Sequence, residues 1–147
     1  MSPRLAGALP PDLAELHPDR WTAPFWSAAA EHRLVCACCA DCGTYRMPPT
    51  AFCHVCRSQA VAWVELPGTG AVYTFTIVRH PVIPEVRAHV PYVLAVIELD
   101  GAPGARLVAN VLEVDPTAVH VGMPVAVAWD DVSDEVTVAR FVPRLRD

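Results

Sequence analysis

Short apolar stretches separated by turn residues fill the chain from residue 60 onward, which is the pattern of consecutive β-strands. Residues 71–80 alternate most regularly, and the face that carries Tyr73, Phe75 and Ile77 is the one we expect to be buried. Further apolar segments predict a strand before this one and two hairpins after it, at 60–66, at 92–99 with 105–114, and at 124–130 with 135–142. Because no long helix separates these strands, we predict a mainly β fold with a small closed or partly open barrel.

The N-terminal segment begins rich in proline and then becomes helical. Residues 22–35 predict a short helix, with Thr22 as a candidate N-cap and Pro24 in the first turn. Two prolines and an aspartate at 10–12 interrupt the early apolar run, so we find no signal-peptide core, and nothing later approaches a membrane span. We therefore expect a cytoplasmic protein without membrane contact, organised as an N-terminal helical segment (1–35), a cysteine-rich segment (36–59) and a barrel (60–147).

Composition and charge narrow the possible functions. The 147 residues suit one ordinary domain, and 16 acidic against 11 basic residues, all of them arginine, give a net charge of −5. General binders of nucleic acid or of anionic membranes normally carry a basic excess. A barrel that binds single-stranded nucleic acid stays as the alternative function, but residues 61–147 hold six arginines against 11 acidic residues. Most acidic residues lie in predicted turns, where we expect Asp130, Asp131, Asp134 and Glu135 to form a solvated edge.

All six cysteines lie within residues 36–56, and four of them form two CxxC pairs, Cys39 with Cys42 and Cys53 with Cys56. A CxxC turn aims two thiolates at one point, and a residue with positive φ directly after the pair lets the backbone turn beneath a metal. Gly43 holds that position after the first pair, whereas Arg57 holds it after the second. The spacing favours a structural Zn²⁺ site, with iron in a rubredoxin-like site and a disulfide or redox pair as alternatives.

Cys36 and Cys38 leave a second register open, because Cys36 and Cys39 also form a CxxC pair. That pair lacks a following glycine, and residues 33–37 look like a strand that enters the first turn. We therefore expect Cys36 to be a small buried residue of this strand and Cys38 to be more exposed. Four protein ligands close a zinc site, so the metal would hold shape without activating water.

Several ordered motifs resemble those of the DUF35 family, acyl-CoA-associated OB-fold proteins with a zinc ribbon. The similarity runs from about Trp21 to Val142 and rests on FWSAAAEHRLVCACCADCGTYRMPPTAFCHVCRS, WVELPGTGAVYTFTIVRHP, VPYVLAVIEL and VDPTAVHVGMPVAV. It implies an N-terminal helix, a rubredoxin-like zinc ribbon and a C-terminal OB-fold barrel. It also implies four zinc ligands, which are Cys39, Cys42, Cys53 and Cys56.

The same resemblance implies a non-catalytic role. Members of the family usually accompany thiolase-fold enzymes: thiolases, acyl-CoA-condensing synthases, and lipid-transfer-protein-like aldolases. The small subunit packs beside the enzyme and can line the path by which coenzyme A or an acyl-CoA enters. In agreement, the chain contains no nucleophile elbow, Walker motif or GxGxxG loop. A metal-dependent enzyme would need an open coordination position, which two complete CxxC pairs do not leave.

The long loop at residues 79–91, RHPVIPEVRAHVP, is the candidate contact with coenzyme A or with the partner. Its three prolines exclude a central strand, and its possible donors are Arg79, His80, Arg87 and His89. Arginine suits the phosphates that coenzyme A presents. The alternative is an ordinary solvated loop.

Overall fold

The structure is a computed structural model that describes residues 3–145. It contains one α-helix, α1 (Ala23–Ala30), and short 3₁₀ turns at Pro11–Leu13, Pro84–Val86 and Pro116–Ala118. The eight strands of the described residues are β1 (Val35–Cys39), β2 (Tyr45–Arg46), β3 (Val61–Glu65), β4 (Thr69–Val78), β5 (Tyr92–Leu99), β6 (Arg106–Val111), β7 (Pro124–Asp131) and β8 (Thr137–Pro143).

Helix α1 begins after Thr22, but Thr22 does not cap it through its side chain. Asp19 instead accepts hydrogen bonds from the backbone N–H of Trp21 and of Thr22 just before the helix. The helix ends in a Schellman motif, in which the N–H of Arg33 donates to Ala28 and His32 has a φ of 58°. This turn directs the chain into β1.

The cysteine-rich segment forms a three-stranded antiparallel sheet of order β2-β1-β3. The sequence predicts that strands from residue 60 onward belong to the barrel, yet β3 pairs along its whole length with β1. Periodicity shows that a segment is a strand but not which neighbour it pairs with, and β3 takes the edge of β1 that β2 does not occupy.

Five strands close into a barrel of order β4-β5-β6-β8-β7, and β4 also pairs with β7. The two predicted hairpins are confirmed as β5 with β6 and β7 with β8, both antiparallel. The strands β6 and β8 are parallel where they meet. This closed five-stranded arrangement confirms the predicted mainly β class and is consistent with an OB-fold.

The prediction that Tyr73 lies on the buried face of β4 is wrong, because this residue is 46% exposed. The register of β4 against β5 shifts between Val72 and Thr74, so a bulge at Tyr73 interrupts the alternation. Before the bulge Val72 points into the core, and after it Phe75 packs against the core. Strict period-two counting across the bulge therefore assigns one aromatic ring to the wrong face.

Asp130 also departs from its expected place at a solvated edge, because it is 0% exposed and lies in β7. Arg4 donates to its two carboxylate oxygens from Nε at 3.0 Å and Nη2 at 2.9 Å. Arg140 approaches the same carboxylate at 3.2 Å and also donates to Asn110 at 2.7 Å. The two guanidinium groups thus allow this carboxylate to be buried. Asp131 is half-buried and contacts His32 at 2.8 Å.

Candidate metal centre

The first CxxC turn follows directly from β1, which ends at Cys39. The N–H of Cys39 donates to Thr44 at 2.8 Å, and the N–H of Gly43 returns to the carbonyl of Cys39 at 2.9 Å. Gly43 has a φ of 78°, as its place after the pair predicts. The turn therefore folds back on itself beneath the two thiols.

The second turn repeats this pattern without a glycine. The N–H of Cys53 donates to Ser58 at 2.8 Å, and the N–H of Arg57 returns to Cys53 at 3.0 Å. Arg57 adopts a φ of 67°, a conformation that costs an L-residue about 1–2 kcal/mol. The matching hydrogen bonds show that both pairs form the same knuckle, although only one has the expected glycine.

The two knuckles bring together the Sγ atoms of four cysteines, all within 4.8 Å of one another: Cys39, Cys42, Cys53 and Cys56. Cys39 lies 3.5 Å from Cys56, and Cys42 lies 3.6 Å from Cys53. A tetrahedral Zn²⁺ with Zn–S bonds of about 2.3 Å requires sulfur–sulfur distances of about 3.8 Å. The donor set therefore fits zinc, and these separations are far longer than the ~2.05 Å of a disulfide bond.

Backbone N–H groups and neighbouring thiols change the pKa values of these cysteines. The N–H groups of Cys56 and Val55 point at the sulfur of Cys53 and lower its pKa to about 6. The amide of Ser58 lowers the pKa of Cys56, but the adjacent thiols outweigh it and raise that pKa to about 12. Deprotonation of a further thiol beside a nearby thiolate is unfavourable without a cation, so the site is suited to a bound metal.

Cys36 and Cys38 lie outside the four-thiol cluster. Cys36 is fully buried, its sulfur is 3.7 Å from the carbonyl oxygen of Arg46, and burial raises its pKa to about 11. Cys38 is half-buried and donates to the carbonyl of Gly43 at 3.4 Å. Both therefore have the places expected of strand residues that do not bind metal.

The loop at 79–91 leaves β4 and enters β5 at one end of the barrel. Arg79, His80 and Arg87 are exposed, whereas His89 is half-buried and its Nδ1 has no hydrogen-bond partner among residues 3–145. His89 lines a cavity of about 120 Å³ together with Gly7 and Tyr92, so part of its ring faces protein atoms and not solvent. Three of the four predicted donors are therefore exposed on the loop.

Some features of this surface were not predicted from the sequence. Val82 is 77% exposed and Ile83 is exposed beside it, so the loop presents apolar side chains as well as arginines. Phe52 and Val55 are likewise exposed at the second knuckle. The apolar composition of both segments could have suggested this, but apolar residues in a sequence normally indicate a core.

No helix within residues 3–145 has both the length and the apolar character that a membrane-spanning helix needs.

Family models match two adjacent segments of the chain. The rubredoxin-like zinc ribbon domain of ChsH2 matches residues 26–62, and the C-terminal OB-fold domain of ChsH2 matches residues 63–130. Together they cover both the cysteine knuckles and most of the barrel.

Relatives of two kinds are similar to the chain. It is 40% identical over 120 residues to a probable enoyl-CoA hydratase alpha subunit of Thermomonospora curvata, across 81% of this chain but 36% of that protein. A 3-oxo-4,17-pregnadiene-20-carboxyl-CoA hydratase alpha subunit of Mycobacterium tuberculosis is 34% identical across 78% of this chain and 35% of its own length. A DUF35 domain-containing scaffold protein of Methanocaldococcus jannaschii is 32% identical across 66% of this chain and 67% of its own. The chain thus spans about a third of each of these two hydratase subunits.

A solved structure described as an Ltp2-ChsH2(DUF35) aldolase contains a chain that superposes with a TM-score of 0.78 at 36% identity. The match covers 89% of this chain and 100% of that one. A DUF35 protein of unknown function from Sulfolobus solfataricus has the same fold, with a TM-score of 0.60 at 16% identity. The paired domain models, the scaffold relative and this structural match show that the chain belongs to the DUF35 family, with a ChsH2-type zinc ribbon followed by an OB-fold.

Proposed function

We propose that the chain is a non-catalytic accessory subunit of a thiolase-fold enzyme that acts on acyl-CoA. The observation that carries this proposal is the structural similarity to a chain of an Ltp2-ChsH2(DUF35) aldolase, which covers 89% of this chain, together with the scaffold relative. The subunit helps to assemble the complex and to admit coenzyme A or an acyl-CoA. Thiolases, acyl-CoA-condensing synthases and lipid-transfer-protein-like aldolases are the candidate partners, and the identity of the acyl chain depends on the partner.

The metal centre supports a structural role. Zinc bound by four thiolates would join the two knuckles and leave no position at which water or a thioester could coordinate. The zinc would thus stabilise the shape of the ribbon, while the chemistry takes place in the partner. Thiolate ligands also suit a reducing compartment, so we expect the complex in the cytoplasm.

Hydratase activity is not part of this proposal. The two hydratase alpha subunits extend well beyond the region that this chain matches, so their names describe larger proteins. What the chain shares with them is consistent with the ribbon and the barrel alone. We therefore assign the shared part to assembly and access.

The loop at 79–91 is our candidate for the surface that faces the partner and the entry path of coenzyme A. Arg79 and Arg87 are exposed, and no salt bridge within residues 3–145 engages either of them. Val82 and Ile83 add apolar area between them. Apolar side chains beside unpaired arginines resemble the composition of protein interfaces, and arginine also recognises phosphate.

Co-expression with a thiolase-like or lipid-transfer-protein-like enzyme encoded nearby tests the proposal. We expect a stable complex on size-exclusion chromatography, and conversion of an acyl-CoA by the complex but not by the isolated chain. Mass spectrometry of the acyl-CoA and its products measures the reaction without interference from the free cysteines. A chain that stays alone with every such enzyme, or that converts the acyl-CoA by itself, would contradict the proposal.

A further inference from the structure

Arg46, in β2 of the ribbon, is a buried charge without an ionic partner in the described part of the chain. The residue is only 2% exposed, and its Nε and Nη2 atoms have no hydrogen-bond partner there. Its side chain contacts the carbonyl oxygen of Ser58 through Nη1 at a long 3.5 Å. Among residues 3–145, no carboxylate lies within ion-pair distance of it. Buried arginines are normally paired with a negatively charged group, so Arg46 is unusual.

The backbone places Arg46 on the face of the sheet that carries the ligand Cys39. Arg46 pairs with Ala37 across β1 and β2, so its side chain lies on the same face of the sheet as Ala37 and Cys39. The carbonyl of Ser58 that it approaches is also the acceptor for the N–H of Cys53 in the second knuckle. The guanidinium therefore lies on the ligand side of the sheet and contacts the end of one knuckle.

The charge of the loaded site supplies what Arg46 lacks. Four thiolates around one Zn²⁺ carry a net charge of −2, and two of the four cysteines, Cys39 and Cys53, are buried. A partly buried dianion is costly unless cations or N–H donors face it. Asp41, in the first knuckle, cannot compensate that charge, and its carboxylate is hydrogen-bonded to the Ser58 hydroxyl.

We propose that Arg46 is the counter-charge of the zinc–tetrathiolate centre, a positioning residue that holds the metal through its buried positive charge. The residue does not ligate zinc. It lowers the electrostatic energy of the loaded site and thereby raises the affinity of the ribbon for the metal. Because the guanidinium is buried, added salt screens this effect much less than it screens an exposed charge.

Zinc affinity in Arg46→Met and Arg46→Lys tests this inference on the full chain. Methionine removes the charge and keeps much of the volume, whereas lysine keeps the charge. Competition with a chromophoric chelator measures the affinity, and unfolding in excess zinc checks that each variant is folded. Arg57→Met is the matched control, because Arg57 is an exposed arginine in the second knuckle.

We expect Arg46→Met to weaken zinc binding by roughly 10- to 100-fold, as the loss of a group behind metal ligands typically does. Arg46→Lys should retain most of the affinity, and the Arg57→Met control should change it by about fivefold or less. Wild-type affinity in Arg46→Met, or equal losses in the Met and Lys variants, would overturn the inference. If Arg46→Met does not fold, Arg46→Gln replaces it, because glutamine and lysine differ in charge at similar length. Equal losses of zinc affinity in Arg46→Gln and Arg46→Lys would again overturn the inference.

Discussion

Replacing Asp130 with asparagine tests whether the buried ionic cluster of the barrel is essential for stability. The asparagine side chain would keep the shape of the aspartate but remove the charge that Arg4 and Arg140 share. The new amide group would also direct N–H donors at two guanidinium groups that can only donate. The substitution therefore leaves Arg140 buried without a counter-ion.

The expected magnitude follows from the exposure of the two arginines. Breaking a buried ion pair by removing one partner costs about 3–5 kcal/mol. The Arg140 side chain is only 12% exposed, whereas that of Arg4 is 27% exposed and can turn toward water. Arg140 also keeps its hydrogen bond to Asn110. We therefore expect the lower end, about 3 kcal/mol, which for a domain of this size lowers Tm by about 6–12 °C.

Urea unfolding and thermal unfolding of the zinc-loaded protein measure this change, with Asp134→Asn as the matched control. Asp134 is exposed, so the same substitution there should change the free energy of unfolding by less than about 0.5 kcal/mol. The double variant Asp130→Leu with Arg140→Met should recover most of the loss, because apolar pairs often replace buried ion pairs at little cost. A loss below about 1 kcal/mol in Asp130→Asn would refute the reasoning.

Three further predictions concern the ribbon and the loop. Cys42→Ser should abolish stoichiometric zinc binding, whereas Cys38→Ser should keep one zinc per chain by elemental analysis; the opposite result would show that the ligand register is wrong. Arg57→Gly should raise the free energy of unfolding by about 0.5–1 kcal/mol, because relief of the positive φ exceeds the entropy that glycine loses; a lower stability in urea would contradict this. Arg79→Ala combined with Arg87→Ala should raise the apparent KM for acyl-CoA or weaken the complex at unchanged zinc content, by roughly 1–3 kcal/mol for each contact that is buried. Unchanged kinetics and assembly would make 79–91 an ordinary solvated loop.

Local chemistry allowed much of the molecule to be predicted from sequence. The knuckles depend on cysteine spacing and on a residue that turns with positive φ, and both are visible in CADCG. The hairpins depend on apolar alternation interrupted by turn residues, and β5–β6 and β7–β8 follow that pattern. Each of these signals is local in sequence, so tertiary structure had little opportunity to override it.

The features that could not be predicted depend on long-range partners. Asp130 is buried because Arg4, 126 residues away in sequence, and Arg140, on the neighbouring strand β8, both contact its carboxylate. Tyr73 points outward because of a bulge in the pairing of β4 with β5. No residue type in that stretch indicates such a bulge. Arg46 looks like an ordinary polar residue of a short strand until the fold places it behind the knuckles.

The ribbon and the barrel share one hydrophobic core, and this affects how loss of the metal should act. Val35 and Cys36 of β1 belong to the same buried cluster as Ile97 and Phe141 of the barrel. The N–H of Leu66, directly after β3, also donates to the carbonyl oxygen of Leu34, directly before β1, at 2.8 Å. The metal fixes the knuckles, whereas this core fixes the other end of the sheet. Removal of zinc should therefore loosen the knuckles first and leave β1 packed on the barrel. Hydrogen exchange should therefore show early loss of protection near Cys53 while the β1 amides stay protected, and simultaneous loss in both would mean that the ribbon unfolds as one unit.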